Sequence, residues 1–277
     1  MALGTALGDY LRARRELVRP EDVGLRVSGR RRVPGLRREE LALLAGISSD
    51  YYLRLEQGRD HHPSAQVLDA LARALHLDAE ATAYLHALSR PKASTARVVG
   101  HERAPASIER IIGRWPNTPA YVQGHYLDVI AANELATAVS PVFQPGINLV
   151  RAVFCDPELR SSVPDWEDLA EAATGRLRVR VGPDVDDPRL VELVDELCAR
   201  SEEFRRSWAR HDVAVASPLV FRFDHPLVGP LALNIERFPV SGTESQTLVI
   251  WHADPDSATE HALRRLAQLL TRRDTAH

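Results

Sequence analysis

Residues 38–58 read REELALLAGISSDYYLRLEQG, and this stretch decides the fold of the N-terminal third. Leu41, Leu44, Ile47, Tyr52 and Leu55 recur at the spacing that lets two short helices bury one face against each other. Ala42 and Ala45 permit close approach, with Leu41, Leu44 and Ala45 expected to face inward. Gly46 stands where the chain must turn tightly, and glycine takes a positive φ at least cost. Ser48 or Ser49 is placed to cap the second helix. Such a hairpin projects the start of its second helix outward, and a helix fits the major groove of B-DNA. The plainer alternative is a helical hairpin within an all-α bundle.

The flanking sequence favours the DNA reading. Upstream, Leu7, Leu11 and Val18 with Tyr10 and Leu17 predict a helix over about 7–18, stopped at Arg19-Pro20. Downstream, Pro63-Ser64 opens a helix bearing Val67, Leu68, Leu71 and Leu75, and another runs from about Ala79 to Leu88. That makes five helices. Arg30, Arg31, Arg32, Arg37 and Arg38 fall within nine residues between the first and second. Arginine grips phosphate or guanine with a planar fork. Arg30, Arg31 and Arg32 suit phosphates or the minor groove, with a solvated loop as the alternative.

Charge divides the chain in the same place. The whole carries −3. Residues 1–92 hold 15 Lys+Arg against 12 Asp+Glu, and the remainder holds 20 against 26, so the parts carry +3 and −6. Opposite signs suit two tasks. We therefore expect a DNA-binding domain over 1–92, a small and polar linker over 93–106, and a second domain over 107–277. No run of 18 apolar residues predicts a membrane helix, and the N-terminus lacks a signal pattern, so a cytoplasmic location is expected. Cys155 and Cys198 fit no metal-ligand spacing and are expected as buried thiols.

The second domain begins with a short helix carrying Ile108, Ile111 and Ile112. Period-two alternation flanks the turn Gln123-Gly124-His125, helical segments fill residues 132–210, and three alternating runs lie at 219–224, 231–236 and 246–253. Ser257-Ala-Thr-Glu260 is a capping box for a last helix with Leu263, Leu266 and Leu270. The fold class expected is therefore a mainly α five-helix head followed by an α+β domain with a five-stranded antiparallel sheet.

Several stretches together resemble a known group. LGDYLRARRE, RRRVPGLRREELALLAG, SSDYYLRLEQGRD and HPSAQVLDALARALHL are similar to the XRE (lambda repressor/Cro-like) helix-turn-helix family. With FRRSWARHDV and FDHPLVGPLAL, the chain resembles actinobacterial-type regulators that carry an MmyB-like ligand-binding domain. The resemblance spans nearly the whole chain. It implies groove-facing roles for Ser49, Asp50, Tyr51 and Arg54, with Arg38 opening the preceding helix. Arg54 suits a guanine; Asp50 suits cytosine N4 or serves as an acid at a helix start. Tyr52 and Leu55 belong to packing, and Glu56 to an ion pair with Arg59.

The resemblance also implies a PAS-like fold and a small apolar, fatty-acid-like ligand. Candidate lining residues are Tyr121, Leu127, Val129, Phe154, Trp166 and Phe204. Trp208, Phe221, Leu231, Leu233 and Trp251 complete the set. Arg206 or His211 suits a carboxylate head, unless WARHDV is a surface helix end in which His211 caps carbonyls. No cofactor is expected beyond such a ligand, and no metal site. Gly-x-Ser-x-Gly, phosphate-loop and HExxH motifs are absent. The expected partners are duplex DNA, an apolar effector and a second copy of the chain, because two-fold DNA sites suit a homodimer. The competing readings keep DNA binding and make the C-terminal domain a protein-interaction module or an enzyme.

Overall fold

The protein is described by a computed structural model over residues 6–25, 35–60, 62–90, 102–182, 187–211, 213, 220–243 and 245–274. Packing divides the chain into two units, residues 1–96 with 174–215 and residues 97–173 with 216–277. The residues expected as a linker lie largely outside the described ones.

The head consists of α1 (Ala6–Leu17), α2 (Arg38–Leu44), α3 (Ser49–Glu56), α4 (Ala65–Ala74) and α5 (Ala79–Leu88). Each start has a local cause. The Ser48 hydroxyl accepts from the Tyr51 amide at 3.1 Å, so Ser48 rather than Ser49 caps α3. Ser64 and Asp78 do the same for α4 and α5. Gly46 ends the α2 turn at φ +67°, the left-handed value its position required. Leu44 departs from expectation. It is 37% exposed, and the inward stripe is Leu41, Ala42 and Ala45. Two turns of helix bury one narrow stripe, and Leu44 falls off its edge. Tyr10, Leu11, Leu36, Leu41, Tyr52, Leu55 and Leu71 form the centre of the core.

Downstream, in chain order, come α6 (Ala106–Ile112), β1 (Ala120–Gln123), β2 (Val129–Ala132), α7 (Glu134–Val139), α8 (Leu149–Cys155), α9 (Pro157–Ser162) and α10 (Trp166–Val181). Then follow α11 (Pro188–Arg200), α12 (Glu202–Ala209), β3 (Val220–His225), β4 (Gly229–Pro239), β5 (Thr247–His252) and α13 (Ala258–Asp274). The strands form one antiparallel sheet ordered β2-β1-β5-β4-β3. Residues 174–215 pack with the head, and Val213 joins its core. Hydrophobic periodicity does not reveal that placement, since it reports which face is apolar and not what covers it. Cys155 and Cys198 are free and only half-buried, unlike the buried thiols expected.

The sheet is covered on both faces. Ala120 and Val122 pack with Leu248, Ile250 and Ile112 of α6 on one side. Register places Tyr121, Val249, Trp251, Ile235, Arg237, Leu233, Leu231, Phe221 and Phe223 on the other. A central strand with two covered faces cannot alternate in burial, and all four residues of β1 are buried. The last helix starts as a partial capping box. Ser257 Oγ accepts from the Glu260 amide at 3.1 Å, but Glu260 returns its carboxylate to the Asp256 amide.

One glycine sets a helix contact. A Cβ on Gly8 would stand 2.4 Å from the Glu56 carbonyl oxygen, so α1 meets α3 backbone to side. Alanine normally stabilises a helix interior by about 1 kcal/mol over glycine. At this site Gly8→Ala should instead destabilise the head by about 1–3 kcal/mol, through forced separation of α1 and α3. Urea denaturation of the full chain, followed by hydrogen exchange of α1 and α3 amides, checks the sign.

Candidate nucleic-acid interface and ligand face

The exposed side of α3 carries Ser49, Asp50 and Arg54, with Tyr51 half-buried beside them. Its inner side is fixed by Tyr52 and Leu55, both fully buried. The Arg54 guanidinium lies 5.5 Å from the Tyr51 ring centroid, which limits the conformations open to that long side chain. Asp50 sits in the first turn, where the helix dipole favours an acid. Arg37 and Arg38 are exposed at the start of α2, and the Arg37 amide donates to the Glu40 carboxylate at 2.7 Å. The structure thus brings Arg37, Arg38, Ser49, Asp50, Tyr51 and Arg54 onto one helix pair. Arg30, Arg31 and Arg32 lie outside the described residues.

Glu56 holds this arrangement. Its side chain has no exposed surface. Arg15 Nε of α1 donates to one carboxylate oxygen at 2.7 Å, and Arg38 Nε of α2 donates to the other at 2.6 Å. Arg15 also donates to the Leu36 carbonyl at 2.8 Å. Burial by itself would raise the Glu56 pKa. The hydrogen bonds from Arg38 and Arg15 outweigh it and hold the carboxyl below its ordinary range. The expected partner, Arg59, is not the one used. A residue three positions away lies beyond the end of α3, whereas α1 and α2 bring two guanidiniums to the inner face. Arg38 therefore has two roles. Its Nε serves Glu56, and its side chain, 48% exposed, faces the solvent where phosphates would lie.

The expected ligand residues separate into groups. Tyr121, Phe221 and Trp251 meet on one sheet face, joined by Phe143, which the sequence reading missed. Phe143 stacks on Tyr121 at 5.0 Å and meets Trp251 edge-on at 4.4 Å. Phe221 lies 5.3 Å from Trp251. Leu231 and Leu233 share this face by register. Leu127 and Val129 are buried at the β1–β2 end. Phe154 and Trp166 form a separate edge-to-face pair, and the Trp166 indole donates to the Val153 carbonyl at 2.9 Å. A shallow groove of about 530 Å³ between the start of β4 and α13 is lined by none of the expected residues.

Phe204, Arg206, Trp208 and His211 belong to the other unit. Phe204 stacks on Trp208, and the Arg178 guanidinium lies 4.0 Å from the Trp208 ring centroid. Arg178 also donates to the Trp208 carbonyl and meets His211 Nδ1 at 3.1 Å. Burial, with Arg178 adding to it, pushes the His211 pKa down to about 4, so at neutral pH its ring has no charge to offer a carboxylate. Arg206 is exposed and lies near Glu202. His225 is occupied as well. Its Nε2 meets the Ala138 carbonyl at 2.9 Å, and its Nδ1 accepts from the Leu227 amide. Among the described residues no cluster of His, Cys, Asp or Glu is arranged to hold a metal.

Two buried donor atoms on the aromatic face, Trp251 Nε1 and Arg237 Nε, have no hydrogen-bond partner among the described residues. The sequence reading passed over Arg237, although it shares strand parity with Leu231, Leu233 and Ile235.

The charge network makes the head sensitive to acid. Glu56→Ala should cost about 3–5 kcal/mol, because it strands buried Arg15. The folded-state pKa of Glu56 is lowered, so its contribution is complete above the unfolded value, ~4.3, and is lost as pH falls through the folded value. Wild-type head stability should fall on acidification through this window, and the variant should lose less. Denaturation curves from pH 7 down to 3 measure both.

Residues 6–85 match a helix-turn-helix domain. Residues 104–266 match the MmyB-like transcription regulator ligand binding domain. A comparison with curated proteins finds no match. The second match covers more than half of the 277 residues. With an exposed recognition helix at one end and that domain at the other, the chain belongs to the MmyB-like transcription regulators.

Proposed function

We propose that this protein reads a specific DNA sequence through α3 and senses a fatty-acid-like molecule in its C-terminal domain. The DNA-binding regulator is the family's function; sequence specificity, ligand class and assembly are our reading. One observation carries it: Ser49, Asp50 and Arg54 stand on the exposed side of a helix whose opposite side is fixed by Tyr52, Leu55 and Glu56. A rigid inner face and a polar outer face suit base-edge contacts, with Arg54 directed at guanine. Arg37 and Arg38 supply phosphate contacts alongside.

The ligand reading is supported by the aromatic face of Tyr121, Phe143, Phe221 and Trp251. An acyl chain gains about 0.8 kcal/mol for each CH₂ it buries there. For regulation the ligand must bind the DNA-competent and DNA-incompetent states unequally. We assign the protein no catalytic activity and no metal, and we place it in the cytoplasm as a homodimer on two-fold sites. No helix among the described residues is long and apolar enough to cross a membrane.

Duplexes selected from a random pool by the wild-type protein provide the test. Affinity should fall steeply with salt, as phosphate neutralisation demands. Arg54→Ala should lower the preference for the selected site over scrambled DNA by about 1–3 kcal/mol. Equal loss on every duplex would move Arg54 to the phosphate contacts. Absence of any salt-sensitive binding would overturn the regulator reading.

A further inference from the structure

We propose that Arg237 and Trp251 form the head-group subsite of the ligand domain, and that the ligand's head is a carboxylate or a similar anion. This rests on the ligand reading above and narrows it. The strand register supplies the geometry. Arg237 of β4 lies opposite Val249 of β5, and Ile235 lies opposite Trp251. Paired residues of antiparallel strands point to one face, so Arg237 and Trp251 are diagonal neighbours, roughly 7–8 Å apart. That spacing leaves room for one small planar group between the two side chains.

Both atoms have their hydrogens buried. Trp251 is 4% exposed, and its Nε1 has no partner among the described residues. Arg237 Nε is likewise buried without a partner. A buried donor left unmet costs about 1–3 kcal/mol, more when charged, and native interiors keep few of them. Two on one sheet face, beside one aromatic cluster, point to a shared acceptor. A carboxylate provides two oxygens and cancels the guanidinium charge. A neutral ester could accept from Trp251 but would leave the buried cation uncompensated. The ligand's tail then has Tyr121, Phe143 and Phe221 beside the indole.

Arg237 also fits here better than either basic residue picked from sequence. Arg206 is exposed near Glu202, and His211 hydrogen-bonds Arg178. Neither belongs to the unit that contains the aromatic face.

The test uses the full chain after delipidation, with lauric acid and its neutral methyl ester as probes, titrated by calorimetry. Wild type should prefer the acid at least tenfold. Arg237→Met should abolish that preference by weakening acid binding while leaving the ester unchanged. Arg237→Lys should retain part of it. Trp251→Phe should weaken acid and ester by similar factors, about three- to tenfold. Amide exchange in β4 and β5 confirms that each variant keeps its sheet. Binding of acid and ester with equal affinity by wild type, or equal loss of both in Arg237→Met, overturns the subsite and leaves the ligand reading standing. Failure to bind either probe overturns both.

Discussion

A carboxylate with no exposed surface must be met by cations, and Glu56 is met by two that come from different helices. Arg15 reaches it from α1 and Arg38 from α2, while Glu56 itself ends α3. One buried charge therefore fixes three helices relative to each other. Gly8 allows α1 to come close enough for Arg15 to reach, and the Tyr52 hydroxyl donates to the Leu11 carbonyl at 3.3 Å along the same seam. Buried pairs of this kind confer less stability than their geometry suggests, because both partners lose water. Their value here is positional. A recognition helix that rocked by a few degrees would misplace Ser49 and Arg54 against base edges.

The same pair links the interior to the surface. Arg38 is half inside and half outside, so the charge that orders the core also orders a basic group beside α3. Arg54 is held differently, by the face of Tyr51. Both long side chains are thus ordered before any partner arrives, which lowers the entropy lost on binding.

The C-terminal sheet uses burial to a different end. One face is closed by α6 and the small side chains of β1. The other gathers large aromatic rings and keeps two donor atoms inside without acceptors from the described chain. The head spends its buried polar groups on one another; the sheet retains two for something else. That contrast between satisfied and unsatisfied buried charge separates a structural site from a binding one.

Much of this was legible in the sequence. Five head helices, the Gly46 turn, five strands and the closing helix all follow from local periodicity, capping residues and glycine placement, because those signals act over a few neighbouring residues. The exposed residues of α3 were legible for the same reason. Partners distant in sequence were not. Nothing local says that Glu56 pairs with Arg15 and Arg38 instead of Arg59, or that Gly8 is required by a carbonyl 48 residues away. Phe143, on a short turn, carries no periodicity that would mark it as a neighbour of Trp251. Arg237 is the intermediate case. Its parity on β4 was visible, but a lone inward arginine acquires meaning only when register brings Trp251 beside it. Sequence determined which segments fold and which faces are apolar; tertiary structure decided which charges meet, since that depends on how helices cross and strands align.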